Sequence, residues 1–377
     1  MEGKEKIEFI DAENKENVKE MLNPLVREWF FSKFEEFSKT QLYGVKRIHE
    51  RKNILISAPT GGTKTLTAFL SIINYLVELA LKKELEDKMY AVYISPLKAL
   101  SGDVFVNLIS PLDEIEKLAE KKGIEMQKIR VGLRTGDTES KERAKQARKI
   151  PHIYVTTPES LAIVLTTKKF VEAIGALEFL VVDEIHALTN KRGVYLSLTL
   201  ERLCAFSRIE PVRIGLSATI SPLKEVARFL VGTGRDCLIA EVKLIKKIEI
   251  GLDYPGENLL EAENQENQKK LYELLNELIE KNRTTLIFTN TRAATERIIH
   301  FLDLHFPKKY EGLIGAHHSS MSKEKRFEIE DRLRKGELRV VVSSTSLELG
   351  IVIGSIDLVI LLKSPKSVSR ALQRIGR

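Results

Sequence analysis

The chain has 377 residues, enough for two or three domains at roughly 100–200 residues each. Its 43% apolar and 30% charged residues are typical of a globular protein and exclude disordered and fibrous classes. A net charge of +7 and a pI near 9.1 favour a polyanionic partner, but only weakly, because surplus lysine and arginine are often simply solvated.

The cysteine content and the hydropathy of the sequence exclude further classes of protein. Cys204 and Cys237 are too few for a disulfide framework or a four-cysteine zinc site. The longest apolar run, 66–77, is shorter than the roughly 20 residues that a membrane helix needs. We therefore predict a cytoplasmic protein with no membrane partner.

Short apolar segments alternate with helical patterns, which indicates parallel sheets covered on both faces. The predicted strands lie at 54–57, 90–94, 129–131, 153–155, 179–182, 214–216, 285–288, 313–316, 340–342 and 358–362. Turn residues between 232 and 256 indicate a junction, and a polar helix follows at 257–281. We predict an α/β chain with an N-terminal extension (1–33), a first domain (34–232), a linker (233–257) and a second domain (258–377).

A phosphate-binding loop is predicted directly after the first of these strands. Ser57-Ala-Pro-Thr-Gly-Gly-Thr-Lys-Thr65 runs from strand to helix, so that backbone N–H groups and a helix N-terminus can surround phosphates. Lys64 would reach the β- and γ-phosphate oxygens, and the Thr65 hydroxyl would bind Mg²⁺. Thr63 stands where this loop usually has glycine, and its Cβ is expected to crowd the phosphate.

Two acidic residues follow another predicted strand and strengthen this interpretation. In Asp183-Glu-Ile-His186, a carboxylate at a strand end can help to hold Mg²⁺, and Glu184 can orient and deprotonate the attacking water. A lone acidic pair would be an ordinary surface feature. Together with Lys64 and Thr65, it predicts an ATP hydrolase.

These segments resemble motifs of the superfamily 2 helicases, and within them of the Lhr (large helicase-related) group, related to the Ski-like helicases. The similarity extends from about residue 22 to 377. Further motif-like segments lie at 95–100, 134–138, 156–160, 191–194, 217–219, 288–292, 317–320, 344–350 and 373–377. The resemblance implies two tandem RecA-like parallel-sheet domains with an ATP cleft between them.

The resemblance also implies a role for individual residues. ATP would be bound by Gln41, which reads adenine in the family, and by Thr60, Gly61, Gly62, Thr63, Lys64 and Thr65. Catalysis would use Lys64, Asp183 and Glu184 with Gln373, Arg374 and Arg377 of the second domain. Single-stranded nucleic acid, DNA rather than RNA, would contact Pro96, Lys98, Arg134, Thr157, Pro158, Thr291 and Arg292. Hydrolysis would be coupled to strand movement through His186, Ser217 and Thr219.

Three departures from the family pattern leave an alternative open. Thr63 replaces glycine, Val352 replaces an aspartate, and the motif VI wording stops at Arg377. The prediction is a monomeric, ATP- and Mg²⁺-dependent helicase or translocase core; the alternative is a nucleic-acid-binding protein of the same fold with impaired or absent ATPase. A P-loop transporter ATPase or small-molecule kinase would leave the second α/β domain without a role.

Overall fold

The computed structural model describes residues 5–59, 63–96, 102, 104–188, 191–243, 249–254, 265–318, 320–344, 347, 356–365 and 368–376, without the side chains of 265, 323, 369 and 373. The chain divides into two compact units, Met1–Leu244 and Ile245–Arg377. Each unit has its own parallel sheet and is treated by itself.

Among its described residues, the first unit contains one eight-stranded sheet in the order β1-β8-β2-β7-β6-β3-β5-β4, with every pair parallel. The strands are β1 (Ile7–Phe9), β2 (Ile54–Ser57), β3 (Ala91–Ile94), β4 (Val131–Arg134), β5 (Ile153–Thr156), β6 (Phe179–Val182), β7 (Val212–Ser217) and β8 (Cys237–Glu241). Strands β2, β7, β6 and β3 are neighbours, so their carboxyl ends meet at one edge.

Helices cover both faces of this sheet. They are α1 (Lys15–Met21), α2 (Pro24–Lys33), α3 (Lys39–His49), α4 (Thr63–Lys82), α5 (Ser110–Lys121), α6 (Ser140–Arg148), α7 (Pro158–Val164), α8 (Lys168–Ala173), α9 (Lys191–Phe206) and α10 (Leu223–Val231). A π-helical turn at Phe105–Ile109 and a 3₁₀ turn at Ile185–Leu188 complete the described helical segments.

The covered faces explain why the strands are continuous apolar runs rather than alternating ones. Successive side chains of β2 point to opposite faces of the sheet. Ile54 and Ile56 pack in one buried cluster with Phe69 of α4, whereas Leu55 packs in a second cluster with Leu230 of α10. Within the described residues, α4 is the one helix long and apolar enough to cross a membrane, and 78% of the window tested is buried inside the protein.

The second unit contains, in its described part, a four-stranded parallel sheet in the order β10-β11-β9-β12. Its strands are β9 (Thr285–Phe288), β10 (Ile314–His317), β11 (Val340–Ser343) and β12 (Leu358–Leu361). Its helices are α11 (Gln265–Glu280), α12 (Arg292–His305), α13 (Pro307–Tyr310), α14 (Lys323–Arg334) and α15 (Val368–Ile375).

The predicted α/β fold of two parallel-sheet domains is confirmed. Nine of the ten predicted strands overlap an observed strand closely, whereas the strand predicted at 129–131 lies further along the chain, at Val131–Arg134. Two strands were not predicted. Strand β8 lies inside the segment predicted as a linker, because the turn residues before it indicated a junction, yet Leu238 pairs with Ile54 in the first sheet. Strand β1 lies inside the predicted N-terminal extension and pairs with β8, which ties that segment to the same sheet.

Candidate active site and nucleic-acid loops

The phosphate-binding loop connects β2 to α4 at the carboxyl edge of the first sheet. Thr60, Gly61 and Gly62 lie outside the described residues, so they stay predictions. Lys64 is buried at the start of α4, and its Nζ donates hydrogen bonds to the carbonyl oxygens of Ala58 (2.9 Å) and Pro59 (3.0 Å). The ammonium therefore lies over the loop, where phosphate oxygens could replace the two carbonyls as acceptors.

Thr63 adopts the helical conformation of the first residue of α4. Its φ is not positive, so a β-branched residue adopts this backbone conformation without strain. Its Oγ1 donates a hydrogen bond to Thr40 Oγ1 at 3.1 Å, which directs the hydroxyl toward α3. Thr65 is buried in the first turn of the same helix.

Gln41, predicted to read adenine, caps a helix in this structure. Its Oε1 accepts a hydrogen bond from the backbone N–H of Ser38 at 2.8 Å, and its own N–H donates to Ser38 Oγ at 3.3 Å. This reciprocal capping box fixes the start of α3. With the side chain 2% exposed, the structure assigns Gln41 a definite structural role beside the predicted one.

Asp183 follows β6 and is buried beside the loop lysine. Its Oδ2 accepts a hydrogen bond from the Tyr93 hydroxyl, and its Oδ1 accepts one from the Glu184 N–H at 2.8 Å. Burial and the Glu184 carboxylate raise the pKa of Asp183, while the Tyr93 hydrogen bond and the Lys64 charge oppose that rise. Tyr93 was not predicted as a site residue, because only the pairing of β3 with β6 brings its ring next to Asp183.

Glu184 occupies a left-handed backbone conformation with φ of 48°, which is uncommon for a residue that carries a Cβ. Such strain is tolerated where surrounding contacts enforce it, and it clusters at functional sites. Here it directs the Glu184 carboxylate toward His186, with 3.2 Å between Oε2 and Nε2.

The His186 ring connects this acidic segment to the end of β7. Its Nδ1 accepts a hydrogen bond from the Ala218 N–H at 3.1 Å and lies 3.5 Å from Ser217 Oγ. Burial, with a smaller effect of the Lys64 charge, lowers the pKa of His186 to about 4, so the ring is neutral at pH 7. A neutral ring that accepts at Nδ1 carries its proton on Nε2, facing Glu184.

The three residues predicted to couple hydrolysis to movement therefore divide into two kinds. His186 and Ser217 are buried and in contact range, and Ser217 Oγ also donates to the Ala218 carbonyl at 2.8 Å. Thr219 is exposed beyond them. The predicted coupling role stays a prediction for all three.

The loops of the first unit that are predicted to contact nucleic acid also lie at carboxyl strand ends. Arg134 ends β4, Pro96 follows β3, and Thr157 and Pro158 follow β5. Thr157 stays a predicted nucleic-acid contact, and in this structure it also caps α7: Oγ1 accepts from the Ser160 N–H at 3.3 Å and donates to Ser160 Oγ at 3.1 Å. Lys98 lies outside the described residues.

Arg192 is a contact residue that was not selected from the sequence. From the start of α9, its Nε donates to Glu159 Oε1 at 2.8 Å, and its Nη2 donates to the Pro96 carbonyl at 3.0 Å. It therefore bridges two of the predicted nucleic-acid loops. Its place in the motif-like segment 191–194 was the available signal, but that segment does not indicate which loops the side chain meets.

In the second unit, Thr291 and Arg292 lie exposed at the start of α12, where the Thr291 side chain accepts a hydrogen bond from the Ala294 N–H at 3.2 Å. Both stay predicted nucleic-acid contacts. His317 and His318 contact different acids, with Nε2 of each ring 3.0 Å from Glu330 Oε1 and 2.6 Å from Glu296 Oε1 respectively.

Arg374 stays a predicted catalytic residue, and in this structure it is buried within the second unit. Its guanidinium is 1% exposed, lies 5.2 Å from the centre of the Phe288 ring, and donates to Asn290 Oδ1 at 3.4 Å. Asn290 in turn donates from Nδ2 to the Ser364 carbonyl at 2.9 Å. Arg374 therefore holds α15 against β9. The Gln373 side chain, Arg377 and Val352 lie outside the described part of the structure.

Comparison with known proteins agrees with this arrangement. The DEAD/DEAH box helicase family matches residues 38–229, and the helicase conserved C-terminal domain matches residues 266–377. The ATP-dependent helicase Lhr-Core of Methanocaldococcus jannaschii is 53% identical over 99% of this chain and 44% of its own length. That of Methanothermobacter thermautotrophicus is 53% identical over 95% of this chain and 42% of its own length.

A solved structure is similar as well. The Mycobacterium smegmatis helicase Lhr bound to ssDNA and AMP-PNP superposes with a TM-score of 0.83 at 37% identity, covering 96% of this chain and 46% of that one. The chain thus spans less than half the length of these relatives. The predicted resemblance is confirmed: the chain belongs to the DEAD/DEAH box helicase family and forms a superfamily 2, ATP-dependent helicase core of the Lhr type.

Proposed function

We propose that this chain is a motor core that hydrolyses ATP with Mg²⁺ to move along a single strand of DNA. The proposal rests on the edge of the sheet at which the carboxyl ends of β2, β6 and β7 meet. There, Lys64 and Asp183 interact electrostatically, and His186 links the acidic segment to Ala218. A nucleotide bound at this edge would therefore contact groups that are linked to one another.

The roles on the ATP side follow from charge and position. Lys64 stabilises negative charge on the transferring phosphoryl group, since phosphoryl transfer relies mainly on positioning and electrostatic stabilisation. Glu184 orients the attacking water and accepts its proton. The His186 ring, with Nε2 at 3.2 Å from Glu184 Oε2, helps to position that carboxylate.

The residues present fit a magnesium ion. Asp183 supplies a carboxylate and Thr65 a hydroxyl, and Mg²⁺ in ATPases takes one or two such oxygens and completes its shell with phosphate oxygens and water. The ion would neutralise charge on the β- and γ-phosphates when bound. Both side chains are 7% exposed, so their oxygens are already withdrawn from bulk water.

On the nucleic-acid side, Arg134 and Arg292 supply cations and the loops at Pro96 and Pro158 supply backbone groups. Such contacts bind the sugar-phosphate backbone without reading sequence. DNA is favoured over RNA because the similar M. smegmatis helicase was solved with ssDNA. The proposed setting is the cytoplasm, and the proposed state is a monomer.

The competing function is a nucleic-acid-binding protein with impaired ATPase. Thr63 has an unstrained helical backbone, but its Cβ is still expected to crowd the phosphate. It therefore remains a ground for that alternative together with Val352 and Arg377.

Strand binding and hydrolysis should be measured together to separate these functions. We expect binding of a labelled oligo-dT to weaken steeply as salt rises, and ATP turnover to rise more with this DNA than with an RNA of equivalent sequence. Salt-insensitive binding would contradict the backbone contacts. Salt-sensitive binding with background turnover would instead support the alternative function.

A further inference from the structure

The turn that follows the catalytic acids packs directly against the start of α9. Ala187 N–H donates to the Glu184 carbonyl at 2.8 Å, which closes the 3₁₀ turn. At the end of that turn, the Leu188 carbonyl oxygen lies so close to Gly193 that a Cβ built there would be 1.7 Å from it. Real Cβ atoms do not approach that closely, and the obstacle is backbone, so this contact requires glycine.

Arg192 extends from this contact to the nucleic-acid side of the same unit. Two different nitrogens of its guanidinium hold two different loops, Nε at the Glu159 carboxylate and Nη2 at the Pro96 carbonyl. Glu159 lies in the first turn of α7, directly after the loop that follows β5, whereas Pro96 lies in the loop after β3. One side chain therefore fixes the separation of two loops that are predicted to contact the strand.

Stability does not explain this bridge. The Arg192 and Glu159 side chains are 45% and 53% exposed, and ion pairs exposed to this degree contribute little to folding. The bridge instead fixes geometry, because the planar guanidinium holds two acceptors at fixed positions. The two exposed partners are therefore better suited to holding loop geometry than to stabilising the fold.

We propose that Arg192 is a positioning residue that couples strand binding on the Pro96 and Glu159 loops to the nucleotide site through the Gly193–Leu188 contact. This inference rests on the proposed function. A small shift of the turn after Glu184 displaces the start of α9, since packed backbones transmit displacement rather than absorb it. Arg192 then moves both loops together.

Lysine at this position separates charge from bridging. Arg192→Lys keeps the positive charge near the strand, but a single ammonium cannot hold the Glu159 carboxylate and the Pro96 carbonyl in the guanidinium's two directions. Glu159→Ala breaks the same bridge from its other end. Arg202→Ala is the matched control, because Arg202 is an exposed arginine on the same helix.

The test measures the affinity of the full chain for a fluorescent oligo-dT by anisotropy, with and without Mg²⁺–AMP-PNP. In the wild type we expect AMP-PNP to change that affinity by about tenfold, within the roughly 5–150-fold range of allosteric coupling. Arg192→Lys should keep its nucleotide-free affinity within about twofold and lose most of the AMP-PNP effect, and Glu159→Ala should lose it too. Arg202→Ala should match the wild type in both measurements.

Three outcomes would overturn the inference in distinguishable ways. A wild-type AMP-PNP effect in both Arg192→Lys and Glu159→Ala would refute the bridge and leave the proposed function intact. Equal weakening of Arg192→Lys binding with and without AMP-PNP would make Arg192 a strand contact alone. No AMP-PNP effect in the wild type, together with ATP turnover that DNA does not stimulate, would refute the proposed function as well.

Discussion

The two ends of the first sheet share the same strands but use polar groups differently. At the amino end, Arg51 lies over the rings of Tyr75 and Phe179, 4.3 and 4.1 Å from their centres, and pairs with Glu178 at 2.7 Å. At that end of the sheet, its guanidinium therefore links α4 to the start of β6. At the carboxyl end, the charged side chains instead lie next to the predicted phosphate-binding loop, where a bound ligand could also contact them.

Two buried histidines illustrate this difference between the amino and carboxyl ends of the sheet. His152, just before β5, accepts a hydrogen bond at Nδ1 from the Arg130 N–H at 3.1 Å, and its Nε2 has no hydrogen-bond partner among the described residues. His186, after β6, accepts one from the Ala218 N–H at the same distance, and its Nε2 faces Glu184. Burial lowers the pKa of each ring to about 4. Both histidines are thus neutral, but His152 packs in the core at the amino end, whereas His186 connects two motifs at the carboxyl end.

The largest expected effect tests the charge at the carboxyl end. Lys64→Ala removes the cation beside the loop and should lower ATP turnover by about 10²–10³-fold, as loss of one charge-stabilising donor does elsewhere. Strand affinity should stay close to wild type because the nucleic-acid loops are separate. Lys82→Ala, an exposed lysine at the far end of the same helix, is the control. Equal losses in both variants would contradict a specific role for Lys64.

The next effect concerns the amino end and pH. Unfolded, His152 takes up a proton near its ordinary pKa of 6.5, whereas the folded ring does so only near 4. Between these values the unfolded chain binds more protons, so the stability present above pH 6.5 is lost as pH falls, by up to about 2–3 kcal/mol near pH 4.

His152→Asn tests this pH effect because its Oδ1 can still accept from the Arg130 N–H. Urea unfolding should show a shallower loss of stability between pH 6.5 and 4 in this variant than in the wild type. The exposed His300→Asn serves as control and should follow the wild-type curve. Identical pH dependence in all three proteins would refute the assignment.

A smaller effect compares the two histidines directly. His186→Asn should lower DNA-stimulated turnover roughly 2–30-fold, the range for about 0.5–2 kcal/mol of coupling through a contact network. The asparagine can accept from Ala218 but is too short to hold Glu184 as well. His152→Asn should leave turnover unchanged. If both variants lost activity alike, the functional contrast between the two ends would be wrong.

An effect of similar size, on stability rather than on turnover, tests the hydrogen bond from Tyr93. Tyr93→Phe leaves the buried Asp183 carboxylate without one donor, which should lower the free energy of unfolding by about 1–2 kcal/mol. Tyr195→Phe, an exposed tyrosine of the same unit, should change it little. Unchanged stability in both variants would show that the Tyr93 hydroxyl is dispensable to Asp183.

Local patterns in the sequence were sufficient for much of the fold and for part of the site. Strand–loop–helix spacing predicted Lys64, and an acidic pair after an apolar run predicted Asp183, because both depend on neighbours along the chain. Strand β8 was missed since the turn residues before it outweighed its apolar content.

The remaining site residues depend on contacts between distant segments. Tyr93 meets Asp183, 90 positions later, because β3 lies beside β6. Arg192 meets Pro96 because α9 begins above the same edge. Arg374 is buried, and its guanidinium lies over the Phe288 ring. No spacing rule within a single motif contains this information.

The central claim is that this chain couples ATP hydrolysis to a single strand. The most direct measurement is steady-state ATP turnover by the full chain, with Mg²⁺, as a single-stranded DNA oligonucleotide is titrated. We predict a rate that rises with DNA and saturates. A rate that stays at background while anisotropy shows the same oligonucleotide bound would contradict the claim and leave a nucleic-acid-binding protein of helicase fold.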